Sequence, residues 1–305
     1  MRTVFNEVLL ELAREDDRIF LILADIGYGE IEPFAEAFPE RYFNVGVAEQ
    51  NMTGVACGVA MEGNIAVTYS IANFPTLRPL EQIRNDVCYH DANVKIVIIG
   101  GGLAYGALGV SHQATEDIAI MRALPNMVVV CPCDFVEARA ATRAMIDYEG
   151  PVYYRCGYKQ KPTVHHDAID YQFGKSIQVR DGEDLTFIFT GTIGNQVIPA
   201  ADELAAAGMS CRVISMHTVK PLDEEAVVAA ANETGGIVVV EEHQIIGGLA
   251  GAVAEALCDA CAVPKRFLRL GLPDRYVTEV GSHEWLVDQY GLSTRKIVER
   301  VKAVW

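Results

Sequence analysis

The chain has 305 residues; 50% are hydrophobic and 22% are charged, and 25 basic against 41 acidic side chains give a net charge of −16. This length predicts two domains, and the acidic balance argues against nucleic acid and anionic membranes as partners. No apolar run reaches the roughly 18 residues that a membrane-spanning helix needs, and residues 1–12 contain no signal-peptide core. The expected location is therefore the cytoplasm.

Strands and helices alternate through the first half of the chain. Helices are predicted at residues 1–14, 49–61, 77–89, 114–123 and 134–147, and strands at 19–25, 65–69, 94–99, 127–131 and 152–155. The strands at 19–25 and 94–99 are continuous apolar runs, which is typical of strands buried on both faces. This alternation predicts a parallel sheet covered by helices on both sides.

The second half repeats the pattern after a stretch without clear periodicity, residues 157–184, which predicts a linker. Strands are then predicted at 185–190, 211–216, 237–241 and 267–270, and helices at 193–207, 223–234, 249–261, 283–290 and 293–304. The sequence therefore predicts two α/β domains built on parallel sheets, over residues 1–165 and 166–305.

Two kinds of motif have an ordinary explanation. The cysteine pairs Cys131/Cys133 and Cys258/Cys261 lie too far apart in sequence for a finger-like zinc site, so packing is favoured and no metal site is predicted. Residues 100–102 are three glycines after a strand, which suggests backbone amides near an anion. The loop that follows them is not the helix of a dinucleotide-binding fingerprint, so that function is not favoured.

Four side chains stand where predicted strands end or helices begin. Glu49 opens an otherwise apolar helix, whose N-terminus stabilises a carboxylate. Phe74 and Asp25 follow predicted strands, and His112 lies between a glycine-rich loop and a predicted helix. Ligands in parallel α/β folds bind at the carboxyl ends of strands, so these four are candidate site residues. A first-turn Glu, a core Phe, a structural His and a turn Asp are the alternatives.

Longer segments around these positions resemble a known family. They are NVGVAEQNMTG (44–54), YSIANFPTLRPLEQIRNDV (69–87), SHQATEDIAIMRALPNMVVVCP (111–132) and DGEDLTFIFTGT (181–192). In this order they resemble the C-terminal half of the transketolase family of thiamine diphosphate enzymes, which comprises a pyrimidine-binding domain and the transketolase C-terminal domain. The resemblance covers nearly the whole chain. Many bacteria encode such a half as a separate subunit.

The resemblance implies thiamine diphosphate as the cofactor and a role for each candidate. Glu49 matches the glutamate that hydrogen-bonds the aminopyrimidine ring, and Phe74 matches an aromatic residue that packs against that ring. Ile71 aligns with a second family aromatic, so the stacking platform is expected to be thinner here. His112 matches a histidine that faces the substrate oxygens and moves protons, and Asp25 matches an acid near the cofactor.

The resemblance also implies a partner. Enzymes of this family hold Mg²⁺ and the diphosphate with Gly-Asp-Gly followed by Asn, and this sequence has no Gly-Asp-Gly. We therefore expect a partner subunit that binds Mg²⁺ and the diphosphate, in an assembly with two copies of each chain. The expected reaction transfers a two-carbon ketol unit from a ketose-type donor to an aldehyde-type acceptor. A deoxyxylulose-phosphate-synthase-like subunit, a 2-oxoacid dehydrogenase beta-type subunit and a non-catalytic scaffold are the alternatives.

The substrate site departs from the family pattern. An Asp, a Ser, a His and an Arg that serve sugar phosphates in the family are replaced, in that order, by Leu108, Gly29, Gly100 and Tyr158. Nearby cations that could substitute are Arg155, Lys159 and Lys161. We therefore expect an acceptor that is less hydroxylated, or not phosphorylated at the usual end.

Overall fold

The computed structural model describes residues 1–27, 29–157 and 163–305. Its strands are β1 (Ile19–Leu23), β2 (Tyr42–Asn44), β3 (Ile65–Ile71), β4 (Val94–Ile99), β5 (Val128–Val130), β6 (Val152–Cys156), β7 (Ile177–Arg180), β8 (Leu185–Thr190), β9 (Cys211–Ser215), β10 (Thr218–Lys220), β11 (Ile237–Gln244) and β12 (Phe267–Leu272). Its α-helices are α1 (Arg2–Glu15), α2 (Glu32–Ala37), α3 (Glu49–Met61), α4 (Phe74–Leu77), α5 (Leu80–Gln82), α6 (Asp117–Ala123), α7 (Phe135–Asp147), α8 (Gly194–Ala206), α9 (Glu224–Glu233), α10 (Leu249–Asp259), α11 (His283–Gln289) and α12 (Thr294–Lys302).

The strands form two sheets, and the predicted pair of α/β domains is confirmed. One sheet has seven strands in the order β10-β5-β6-β4-β3-β1-β2, and the other has five in the order β12-β11-β8-β9-β7. Neighbours pair in parallel except at one edge of each sheet, where β10 runs antiparallel to β5 and β7 runs antiparallel to β9. The predicted parallel pairing is thus confirmed for all neighbours except those at these two edges. Strand β10 comes from the second half of the chain yet completes the first sheet.

Side chains of the first sheet alternate between two apolar layers. In β3, Val67 and Tyr69 point to the layer that contains Phe5 of α1. Ala66 of the same strand points to the opposite layer, with Met52 of α3. The period of two along a strand thus gives both faces a core, as the continuous apolar runs predict.

The prediction of one continuous helix over residues 77–89 is wrong. The structure has the short helices α4 and α5 on either side of Pro79, followed by a π-helical turn, Ile83–Cys88. Proline lacks the N–H that a helix interior needs and clashes with the preceding turn. As a result, α4 is a separate turn at the end of β3, and this turn positions Phe74.

Strands β1, β3 and β4 are neighbours and run parallel, so their carboxyl ends meet at one edge of the sheet. The segments that follow them, residues 24–27, 72–79 and 100–116, therefore lie beside one another. Every candidate site residue except Glu49 and Ile71 is in one of these segments. In the described part of the chain, no helix is both long and apolar enough to cross a bilayer.

Candidate active site

Glu49 is a buried carboxylate at the start of α3. It is only 4% exposed, and both of its carboxylate oxygens accept hydrogen bonds from Arg78 Nη1, at 2.7 and 2.8 Å. Farther along the same helix, Gly54 and Gly58 are exposed. Apart from each glycine's chain neighbours and the backbone of its own helix, no described atom lies within 4 Å of the place where a Cβ would stand. The helix thus begins with a buried acid and carries two open glycines on another of its faces.

Arg78 links Glu49 to the aromatic candidate. Its guanidinium carbon stands 4.2 Å from the centroid of the Phe74 ring. Phe74 opens α4, and Arg78 follows four positions later, so one helical turn brings the cation over the ring. The Arg78 side chain is 48% exposed, whereas the carboxylate it binds is buried. One side of Phe74 is therefore covered by Arg78.

His112 packs against Phe74 from another direction. The two rings meet edge to face with centroids 5.1 Å apart, and the ring of Tyr105 lies 6.4 Å from His112. His112 Nδ1 is 3.0 Å from Ser111 Oγ, and Asn73 Nδ2 donates to the Ser111 carbonyl at 3.1 Å. Arg78 thus joins Glu49 to Phe74, and the Phe74 ring in turn contacts His112.

The remaining two candidates lie at the same sheet edge but outside this cluster. Asp25 has a positive φ of 52°, accepts a hydrogen bond from Asn44 Nδ2 at 3.0 Å and donates its own amide to Asn44 Oδ1 at 3.1 Å. Ile71 lines a cavity of about 270 Å³ together with Tyr69, Tyr105 and Arg2. Asp25 therefore steadies the segment that leads to Glu49, and Ile71 shapes a cavity that Tyr105 also lines.

Two family profiles together match most of the chain. The sequence profile of the family described as "Transketolase, pyrimidine binding domain" matches residues 1–159, and that of "Transketolase, C-terminal domain" matches residues 174–297. The chain belongs to the transketolase family. It therefore corresponds to the C-terminal subunit of a split transketolase-like enzyme.

Three relatives describe where this transketolase chain stands in the family. It is 38% identical over 307 residues to "6-deoxy-6-sulfo-D-fructose transketolase subunit SqwH" of Clostridium sp., covering 100% of this chain and 94% of that protein. It is 39% identical over 298 residues to an apulose-4-phosphate transketolase subunit of Phocaeicola vulgatus, covering 97% and 94%. Among solved structures, "Split gene transketolase, inactive beta4 tetramer" superposes with a TM-score of 0.89 at 38% identity, covering 99% and 97%.

The donor set fits the aminopyrimidine end of thiamine diphosphate, the cofactor that the transketolase family implies. A buried carboxylate at a helix start is suited to hydrogen-bond a ring nitrogen of a ligand. Phe74 supplies an aromatic face close by. Arg78, which binds the same carboxylate, was not singled out from the sequence. Arg78 follows Phe74 by four positions, and this spacing places two side chains on one face of a helix. Pro79 and the shortness of α4 hide that pattern in the sequence.

The structure describes three of the positions at which the sequence departs from the family's sugar-phosphate site. Leu108 is 55% exposed and Gly29 is exposed. Gly100 has a φ of +81°, and a Cβ there would collide with the Tyr105 ring. The Tyr105 ring therefore occupies the space that a larger side chain at position 100 would need. Tyr158, Lys159 and Lys161 lie outside the described residues.

Arg155 is wrong as a substitute phosphate cation. It is 7% exposed, and its Nε donates to Asp117 Oδ2 at 2.7 Å. Its Nη2 donates to the carbonyls of Ala114 and Glu242, at 3.0 and 3.1 Å. Burial opposes the charge, but the Asp117 carboxylate outweighs it and raises the pKa of Arg155. Its donors are therefore used inside the protein, between the two domains.

One cysteine of the first pair joins a polar cluster that sequence spacing did not predict. Ligand atoms of Cys133, Glu137 and His165 lie within 4.8 Å of one another. The Glu137 carboxylate already accepts from His165 Nε2 at 2.8 Å, Ser215 Oγ at 2.6 Å and the Cys133 amide at 2.7 Å. Because these hydrogen bonds satisfy the carboxylate, we interpret the cluster as a buried ion pair within the first domain, to which Ser215 of the second domain is hydrogen-bonded.

Proposed function

We propose that this chain is the pyrimidine-binding subunit of a cytoplasmic, thiamine diphosphate-dependent ketol transferase that is active only with a partner subunit. The observation that carries the proposal is the buried Glu49 carboxylate, which Arg78 joins to Phe74, together with His112 packed on the same Phe74 ring. A carboxylate buried at a helix start serves a ligand better than it serves packing, because an apolar residue would fill that place without a desolvation cost.

We assign each group a role toward the cofactor. Glu49 hydrogen-bonds the aminopyrimidine ring, and Phe74 packs against the ring on a side that Arg78 leaves open. Bound thiamine diphosphate supplies the carbon nucleophile that takes up the two-carbon unit. His112 faces the substrate oxygens and moves protons at its imidazole nitrogens. Ile71 contacts the cofactor, and Asp25 holds Asn44 in place nearby.

The partner subunit would hold the diphosphate and Mg²⁺, and two copies of each chain would form the enzyme. Several exposed apolar side chains surround the site, among them Val47, Leu77, Leu108 and Val110. Together with the open face at Gly54 and Gly58, they suit a close approach by another chain. The relatives described as transketolase "subunit" proteins support a partner of this kind.

The acceptor is proposed to differ from an ordinary pentose phosphate. The two relatives at 38% and 39% identity are named for different sugars, so identity at this level does not select a substrate. The cavity that Tyr105 lines is also lined by Ile26, Ile71 and Ile99. This apolar lining, with Leu108 in place of the family Asp, favours an acceptor with fewer hydroxyl groups at that end.

Reconstitution tests the function. The chain is mixed with a transketolase subunit that carries Gly-Asp-Gly followed by Asn, and product formation is followed with and without thiamine diphosphate and Mg²⁺. The expected result is cofactor-dependent ketol transfer by the mixture and none by either subunit alone. Ordinary turnover of xylulose 5-phosphate with ribose 5-phosphate would contradict the remodelled acceptor site. If no mixture shows thiamine diphosphate-dependent activity, a scaffold role is favoured instead.

A further inference from the structure

We propose that Glu242 and His283, both in the C-terminal domain, are positioning residues that hold the loop bearing His112. We call residues 102–114 the histidine loop. The loop is closed at its base by two backbone hydrogen bonds between Gly102 and Ala114, at 2.8 and 3.1 Å. Tyr105, Leu108 and His112 all lie within it. The kinetic part of this inference rests on the proposed function, and the structural part does not.

Glu242 is the main contact of the C-terminal domain with this loop. It lies near the end of β11 and is 4% exposed. Its Oε1 accepts the Leu103 amide at 2.6 Å, and its Oε2 is 2.9 Å from His283 Nε2. Burial alone would raise the pKa of Glu242, but the His283 imidazolium and the Leu103 amide outweigh it and lower that pKa. A carboxylate of the neighbouring domain thus accepts the first amide after the three glycines.

The glycines of the loop are required by this contact. Gly102 has a φ of +66°, and a Cβ there would collide with the Glu242 carboxylate. A Cβ at Gly106 would collide with Leu286 and with the Gly281 carbonyl. Both positions therefore need glycine so that the loop can reach the C-terminal domain. Close approach of two domains, rather than a bound phosphate, explains the small residues.

The base of the loop is attached to the same strand at further points. Arg155 Nη2 donates to the carbonyls of Ala114 and Glu242, and the Gln244 amide donates to the Thr115 carbonyl at 2.7 Å. The C-terminal domain therefore fixes both ends of the loop that presents His112. Its role extends beyond subunit assembly.

Hydrogen exchange on the full chain tests the structural part. We compare wild type with Glu242→Ala, Glu242→Gln and His283→Gln. Glu242→Ala is expected to speed amide exchange in the histidine loop at least about tenfold, and Glu242→Gln less, because its amide oxygen still accepts from Leu103. Should Glu242→Ala fail to fold, the two Gln variants give the same comparison.

Glu241→Gln is the matched control. Glu241 is the neighbouring buried residue of β11, and its carboxylate accepts the amides of Leu249 and Ala250 within the C-terminal domain. This variant is expected to speed exchange at the start of α10 and to leave the histidine loop unchanged. Equal effects of Glu241→Gln and Glu242→Gln on the loop, or no effect of either Glu242 variant, would overturn the inference.

A double-mutant comparison in the reconstituted enzyme separates positioning from general damage. Glu242→Gln is expected to lower kcat about tenfold with KM within about twofold, and to change kcat less than twofold when His112→Ala is already present. If the two substitutions lower kcat by independent factors that multiply in the double variant, Glu242 does not act through His112. If His112→Ala alone leaves kcat unchanged, the proposed role of His112 fails, and exchange alone decides whether Glu242 holds the loop.

Discussion

The first prediction concerns the ion pair between Glu49 and Arg78. Replacing Arg78 with Met removes both hydrogen bonds to a carboxylate that is 4% exposed. Hydrogen bonds to charged groups contribute roughly 1.5–3 kcal/mol. Because the Arg78 side chain is 48% exposed, solvent screening reduces the expected coupling to about 1 kcal/mol.

A double-mutant cycle measures that coupling. The free energy of urea unfolding is determined at one protein concentration near neutral pH for wild type, Arg78→Met, Glu49→Gln and the double variant. Arg84→Met serves as the control, because Arg84 is exposed and bonds Asn85 rather than Glu49. We expect about 1 kcal/mol of coupling between Arg78 and Glu49 and none between Arg84 and Glu49. Zero coupling for the first pair, or equal coupling for both, would refute the pairing on which the site depends.

Two further predictions concern stability. Gly100→Ala should destabilise the chain by about 2–4 kcal/mol, because it combines a positive φ with a collision against Tyr105. Gly208→Ala has a similar φ but open space and should cost only about 1 kcal/mol; similar losses in thermal unfolding would contradict the close contact at Gly100. His165→Gln should flatten the pH dependence of unfolding. Burial lowers the pKa of His165, but the Glu137 carboxylate outweighs it and the net shift is upward, so its contribution is complete below about pH 6.5 and is lost as the pH rises through the raised value. The pKa of Glu137 is lowered, since hydrogen bonds and the nearby imidazoles outweigh the effect of burial, so its contribution is lost as the pH falls below about 4.5. Parallel curves for wild type and variant would argue against this ion pair.

Local patterns in the sequence were sufficient for most of the fold. The apolar strands at 19–25 and 94–99 correspond to β1 and β4, and the helix at 49–61 to α3. These elements are long or strongly periodic, so neighbouring residues determine them. The break at Pro79 was visible in the sequence but was outweighed by the apolar pattern on either side.

Features that depend on distant contacts were not predicted. Strand β10 joins the first sheet from the second half of the chain, and nothing in its three residues indicates that edge. The pairing of Arg78 with Glu49 and the contact of Glu242 with Leu103 join residues far apart in sequence. The boundary between residues 165 and 166 stays a prediction, as do the individual roles of Glu49, Phe74, Ile71, Asp25 and His112.

Replacing Glu49 with Gln in the reconstituted enzyme tests the central claim most directly. Glu62→Gln is the matched control, because Glu62 is exposed at the far end of the same helix. Loss of the carboxylate should lower thiamine diphosphate-dependent ketol transfer by at least about a hundredfold, whereas the control should stay within about twofold of wild type. If Glu49→Gln turns over at the wild-type rate, Glu49 does not serve the cofactor and the proposed site is wrong.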